Sequence, residues 1–317
     1  DLDEQQLFRR LSIFTGGFTL DAATRLADDL STAPRDPGQT DSLLAALTEK
    51  GLLRVEDDSS LPRFGMLETI RAFGLDMLAA SEERNETGRA HARWFVELAE
   101  RAQPELTGPD QGTWFETLEI EQANLRAAFD WAIRDPNDDQ VALRLAASLW
   151  RFWWGRGSAR EGRAWVEQAL AVHDASAPEV RARTLYAGGE LSEALADYDQ
   201  ANIWYEEALQ LRLSVGDEAG VAETLNGLGV IARMRGDLDR AEELHQRALS
   251  MLQRIDSRRP IASTFNNLGA VAYFRGDIER TGSYWRRALD VVRELDDDRS
   301  VIAVLGNLGA LALMQDD

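Results

Sequence analysis

Apolar residues recur along this chain mostly at helical intervals, and only one short stretch alternates as a strand pair would. Leu7, Phe8 and Leu11 predict a short helix over residues 4–14, ended by Gly16-Gly17. Thr19 is placed to cap a second helix that runs through Leu30. Residues 31–40 hold two prolines and a glycine and read as a loop. Asp41 is placed to cap a third helix, Ser42 to Lys50, with Gly51 at its C-terminus. Leu52 to Glu56 reads as a strand, Asp57-Asp58-Ser59-Ser60 as a turn and Arg63 to Met66 as the returning strand. A helix from about Leu67 to Ala80 follows. Three helices, a hairpin and a helix make the outline of a winged helix.

The next segment carries only helical periodicity. Asn85 to Arg101 holds Trp94, Phe95 and Leu98, and Pro104, Gly108, Pro109 and Gly112 predict a loop after it. Trp114 to Arg134 predicts one long amphipathic helix, and Val141 to Trp154 a strongly apolar one. Gly155 and Gly157 turn the chain into a helix from Glu161 to Val172. The rings of Trp150, Phe152, Trp153, Trp154 and Trp165 read as inter-helix core in preference to a ligand pocket, since large rings dominate packing.

From about Pro178 the chain repeats every 40 residues: Leu228-Gly229 returns as Leu268-Gly269 and Leu308-Gly309, Gly236-Asp237 as Gly276-Asp277, Ala248-Leu249 as Ala288-Leu289. Such a period means that each unit is one supersecondary element burying its apolar face on its neighbours. Small residues such as Gly229, Gly269, Ala272 and Ala288 allow close helix approach, and Gly236 and Gly276 suit the tight turn within a unit. The last unit stops after one helix, at Asp317, and the chain starts at Asp1, which predicts a segment of a longer protein.

Charge narrows the function classes. The chain of 317 residues carries a net charge of -20, with 55 acidic and 35 basic side chains and no cysteine. Residues 1–85 hold 9 basic and 16 acidic groups, and the third helix offers Lys50 as its one cation. Phosphate anchoring and base readout both want arginine, lysine or asparagine there, so the charge pattern disfavours DNA as a partner for this segment. Lys50 is also the only lysine, and Leu47-Thr48-Glu49-Lys50-Gly51 is no phosphate-binding loop. His91, His173 and His245 lie more than 70 residues apart, with no ligand at metal spacing, so no metal site is expected, and the adjacent pairs Glu206-Glu207 and Glu242-Glu243 diverge around their helices and are no acid–base dyads. Asp296-Asp297-Asp298 reads as a solvated acidic turn. No apolar run approaches the ~18 residues that a membrane span needs. The expectation is a cytoplasmic protein region without catalytic residues.

Two resemblances organise these readings. The units with Asn267-Leu268-Gly269, Ala272, Gly276-Asp277 and Ala288-Leu289 resemble tetratricopeptide repeats of the longer kind, with Thr281 in place of the usual alanine. Leu7 to Phe18, Leu43 to Val55 and Arg63 to Arg71 resemble the winged helix of STAND-class signal-transduction ATPases, a class that includes AfsR-like, LuxR-type and NB-ARC proteins. Glu121-x-x-Asn124-Leu125-Arg126-Ala127-Ala128 and Trp150-Arg151-Phe152-Trp153 are similar to the segment that follows in bacterial members.

The resemblance implies a mainly α architecture: a winged-helix domain (1–84), irregular helical hairpins (85–177) and an α-α superhelix of repeats (178–317), the last incomplete. It implies a nucleotide-binding domain elsewhere in the parent, which would bind ADP or ATP; no cofactor is expected in these residues themselves. A family Met-His-Asp motif that senses nucleotide phosphate falls on Met66, Leu67 and Glu68. Leucine cannot donate to a phosphate, and Arg71, one turn on, is the candidate substitute.

Repeats of this kind present helix A on their inner face. That offset selects Arg183, Tyr186, Glu190 and Glu193, then Asn226, Val230, Arg233 and Met234, then Asn266, Asn267, Ala270, Tyr273 and Phe274, and Asn307. A carboxamide both donates and accepts, so an asparagine ladder suits the main chain of an extended peptide, unless these asparagines cap or bridge helices. Arg183 and Arg233 suit a carboxylate. The implied function is that of a sensor and switch: the repeats receive a peptide, protein or small effector, the winged helix packs on its own nucleotide-binding domain in cis, and opening permits exchange and oligomerisation. The alternatives are a constitutive repeat scaffold and a DNA-binding regulator.

Overall fold

The computed structural model describes residues 1–31, 36, 38–56, 62–135, 140–172, 177–295 and 298–316. Asp57-Asp58-Ser59-Ser60, His173 and most of the acidic turn at 296–298 lie outside the described residues. The fold is mainly α: a winged-helix domain followed by tetratricopeptide-like repeats, with sixteen helices among the described residues. Two compact units emerge, residues 1–102 with 113–145, and residues 103–112 with 146–317.

In the first unit α1 (Leu2–Leu11) starts on a capping box, Asp1 accepting from the Glu4 amide. β1 (Phe18–Thr19) leads into α2 (Leu20–Asp29), which Thr19 caps as the sequence predicts. α3 (Gln39–Glu49) begins three residues before the predicted Ser42, with Gly38 at its N-cap at φ 82. Asp41 therefore lies within the first turn, and the Ser42 hydroxyl bonds back to the Gly38 carbonyl at 3.1 Å. β2 (Arg54–Glu56) and β3 (Arg63–Gly65) form the wing. The sheet has a third member, because β1 pairs antiparallel with β3, giving the order β1-β3-β2. α4 (Glu68–Ala79) closes the domain.

α5 (Arg84–Glu105) runs past the predicted end and carries Pro104 in its last turn, where the missing amide costs little continuing helix. The predicted single helix 114–134 is two helices, α6 (Gln111–Ile120) and α7 (Gln122–Arg134), parted at Glu121. The cause is lateral: the Glu121 and Asn124 side chains are drawn into the winged helix. Arg63 on β3 pairs with Glu121 and donates to the Gly16 carbonyl at 3.1 Å. Asn124, fully buried, accepts from the Thr15 amide at 2.8 Å and donates to the Gly17 carbonyl at 2.9 Å and to Glu121 at 2.7 Å. The Glu-x-x-Asn motif thus replaces the hydrogen bonds that the Gly16-Gly17 turn cannot make for itself.

α8 (Val141–Gly155) bridges the two units, and α9 (Ala159–Val172) belongs to the second. Trp150, Phe152, Trp153 and Trp165 are buried, while Trp154 is half-exposed. The repeats follow as α10 (Pro178–Ala194), α11 (Tyr198–Val215), α12 (Glu218–Met234), α13 (Leu238–Arg254), α14 (Arg258–Phe274), α15 (Ile278–Glu294) and α16 (Asp298–Asp316).

Their motifs have direct physical roles. In Gly236-Asp237 and Gly276-Asp277 the glycine takes a positive φ, 84 and 76, and the aspartate caps the next helix, accepting from Arg240 and Arg280 amides at 3.0 Å. The glycine at this position of three units, Gly189 and the Leu-Gly glycines Gly229 and Gly269, seats a ring from the following helix, sixteen residues on: Tyr205 on Gly189, His245 on Gly229, Trp285 on Gly269. A Cβ at those glycines would meet the ring at 2.4 to 2.6 Å. Arg235 and Arg275 tie successive units on the outside, binding Asp199 at 2.5 Å and Asp239 at 2.6 Å.

Candidate functional site

The residues predicted for the inner face lie on the first helix of each unit because the 40-residue period returns equivalent positions to equivalent places. Tyr186, Asn226 and Asn266 share one register on α10, α12 and α14, Asn267 and Asn307 share the next on α14 and α16, and all five are half-buried. The carboxamides meet across the units: Asn267 Nδ2 donates to Asn226 Oδ1 at 3.3 Å, and Asn307 Nδ2 to Asn266 Oδ1 at 2.8 Å. Asn226 Oδ1 also faces His245 Nδ1 at 2.8 Å, and the Asn266 carbonyl accepts from Trp285 Nε1 at 3.1 Å. The asparagines bridge helices, and each keeps hydrogen-bonding capacity beyond these contacts.

The two arginines differ. Arg183 donates to Gln103 at 3.1 Å. Arg233 lies over the exposed Phe274 ring at 5.5 Å, and its buried Nε has no hydrogen-bond partner. Tyr273 stacks on Trp285 at 6.1 Å and meets Phe274 edge-on at 5.7 Å.

The densest polar cluster sits at the start of the array, and helix A offsets reveal only half of it. Tyr186 contacts Trp150 of α8 at 6.2 Å and Tyr205 of α11 at 5.6 Å, with Arg212 over its face at 4.6 Å. Arg212 is buried, donates to Thr224 at 2.8 Å and stands 3.6 Å from Glu223. The Tyr205 hydroxyl lies 3.1 Å from Glu190 and 3.5 Å from Glu193. Burial, and then the neighbouring Glu190, push the Glu193 carboxyl up to about 8. Burial also raises Glu223, against the pull of Arg212. The second-helix members Tyr205 and Arg212 carry a weak sequence signal: each is a large side chain on a helix face otherwise lined by Ala201 and Ala208.

In the winged helix, Leu67 stands at the start of α4 and is half-exposed. Glu68 and Arg71 bind each other through two bonds, at 3.0 and 2.8 Å. Lys50 at the end of α3 pairs with Glu4, which neutralises the one cation of that helix. Among the described residues no three His, Cys, Asp or Glu side chains are placed to hold a metal, and no helix is long and apolar enough to cross a membrane.

A winged-helix domain leading into tetratricopeptide-like repeats is therefore the class of protein at hand. Residues 1–79 match the winged helix-turn-helix domain family, and residues 180–254 the tetratricopeptide repeat family. HTH-type transcriptional regulators predicted in Mycobacterium tuberculosis and Mycobacterium bovis are 33% identical over 234 residues, which is 71% of this chain and 26% of theirs. The chain thus spans about a quarter of the length of these relatives. Among solved structures, BtubC from P. vanneervenii aligns with a TM-score of 0.52 and 25% identity, over 63% of this chain and 85% of its own. A STAND protein with a tetratricopeptide repeat sensor from Pyrococcus horikoshii aligns over 97% of this chain and 53% of its own, with a TM-score of 0.50 and 13% identity, a likeness of fold.

Proposed function

We propose that this chain is the sensor and switch region of a STAND-class signal-transduction ATPase that regulates transcription. The repeats receive a peptide or protein effector on the inner face, and the winged helix packs on a nucleotide-binding domain of the same protein. The observation that carries the reading is the inner face itself. Half-buried Tyr186, Asn226 and Asn266 recur in one register and Asn267 and Asn307 in the adjacent one, and Arg233 holds an unsatisfied buried Nε among them. A face that served only packing would be apolar, whereas this one keeps donors and acceptors in a row suited to an extended main chain. The naming of the mycobacterial relatives as transcriptional regulators supports the output. Effector binding would shift the switch only by its differential affinity for the open state.

The winged helix serves in this reading as a protein-packing module. The exposed positions of α3 include Asp41 and Glu49, and Lys50 is paired, which disfavours a phosphate contact. Arg71, held by Glu68, is the group on α4 that a nucleotide phosphate would have to recruit. Unchanged ADP affinity of the full-length Arg71→Ala variant would remove it from that role.

The test is capture of a partner by the chain, its identification, and a repeat measurement of affinity with Asn226→Ala, Asn267→Ala. Loss of at least tenfold in affinity with an unchanged melting profile supports the inner face. Equal binding by the variant moves the partner elsewhere.

A further inference from the structure

A phenol has one hydrogen to donate. At the meeting point of α10, α11 and α12 the Tyr205 hydroxyl is offered to two carboxyls, Glu190 at 3.1 Å and Glu193 at 3.5 Å. Both separations exceed the usual O–H···O distance of about 2.7–2.8 Å, as expected for one hydrogen between two acceptors. The hydroxyl stands nearer Glu190, so its one hydrogen goes there and Glu193 is left without it. A second hydrogen resolves the conflict, and it belongs on Glu193, the carboxyl that the phenol does not serve.

We propose that Glu193 holds a proton at neutral pH, donating to Tyr205, which donates to Glu190, and that loss of this proton switches the packing of the first repeat. The regulatory meaning rests on the inner face being the binding surface; the protonation state does not.

The surroundings fit. On α10 Glu193 faces Glu190, whose other neighbour is Tyr186; on α11 it faces Tyr205; on α12 it faces Arg233. Arg212 on α11, Glu223 on α12 and Arg151 on α8 complete the charged neighbourhood. Burial and Glu190 favour the acid form and Arg233 opposes it, with the balance at about 8. The Tyr205 phenol, buried and beside two carboxyls, is pushed up and stays protonated.

The Tyr205 ring cannot retreat from a second negative charge. It fills the gap between α10 and α12, where a Cβ at Gly189 would stand 2.4 Å from the ring and one at Gly227 2.7 Å. Deprotonation must therefore be answered by the helices or by Arg233 leaving Phe274 for Glu193. Any partner seated on this stretch inherits the linkage, because its affinity then depends on the same proton.

The test needs no partner, so it separates from the capture experiment. Glutamate carboxyl carbons of the whole chain are labelled and followed by NMR from pH 5 to 10. The expected result is one carboxyl with a midpoint near 8, absent in Glu193→Gln and shifted down in Glu190→Gln. Glutamine keeps a donor for Tyr205, so the variant should fold; amide protection factors in α10–α12, corrected for the intrinsic pH dependence of exchange, should fall between pH 7 and 9 in the parent alone. If every glutamate titrates below pH 6, or the high midpoint survives in Glu193→Gln, the proposal is wrong.

Discussion

Gly269 and Gly309 occupy the same position of successive units, yet alanine should act on them with opposite sign. At Gly269 an added Cβ would stand 2.4 Å from the Trp285 ring. That ring is pinned: its Nε1 donates to Asn266, its face stacks on Tyr273, and it is 5% exposed. Overpacking of this kind costs about 1–3 kcal/mol. The helical preference of alanine over glycine returns about 1 kcal/mol. The net for Gly269→Ala is then a loss of up to ~2 kcal/mol. At Gly309 nothing lies within 4 Å of the added Cβ, so only the helical gain of about 1 kcal/mol remains. The two variants should differ by about 1–3 kcal/mol. Urea unfolding gives the global values, and amide exchange in α15 and α16 gives the local ones, which matter because array ends open separately. Equal shifts in the same direction would refute the claim that the Leu-Gly motif is a seat for the following ring.

Three further outcomes follow from contacts described above. Ala196 takes the turn position that glycine fills in later units, at φ 58. Ala196→Gly should raise the urea midpoint by an amount worth about 0.5–1 kcal/mol, the left-handed penalty less the entropy that glycine loses. Asn124→Ala orphans the Thr15 amide and the Gly17 carbonyl, and Glu121→Ala leaves buried Arg63 uncompensated; losses of about 3 and 3–5 kcal/mol are expected in chemical unfolding, and a loss below 1 would contradict the network. Burial, aided by Arg233, lowers His245 to about 3. The unfolded chain takes up this proton below its ordinary value of 6.5 while the folded chain does not, so stability is complete above 6.5 and falls as pH drops toward 3. Melting at pH 7 and pH 5 should show part of that loss, smaller in His245→Phe. His91, lowered to about 3 by burial, contributes the same way and sets what remains.

The winged helix and the repeats were legible because their punctuation is local. Thr19, Asp237 and Asp277 cap the next helix wherever tertiary contacts lie, and Gly236 and Gly276 turn the chain by their own backbone freedom. What escaped depends on partners distant in sequence. β1 is two residues long, too short to show alternation, and exists because β3 pairs with it. The parting of α6 from α7 answers to Arg63, 58 residues away. In the inner face, the period shows which first-helix residues align, but not that Arg183 donates to Gln103 or that Tyr205 and Arg212 join from the second helix. Those contacts follow from how α10 and α11 cross, which no spacing encodes.

Cap, turn, glycine seat and outer arginine tie all return at one interval. An in-frame loss or duplication of 40 residues between equivalent points would therefore keep cap, turn and glycine seat in step, and would meet resistance only where units differ, as Gly227 under Tyr205 differs from Asn267. Array length in this protein is a quantity that recombination can alter in whole steps, with adjustment confined to such positions at the junction.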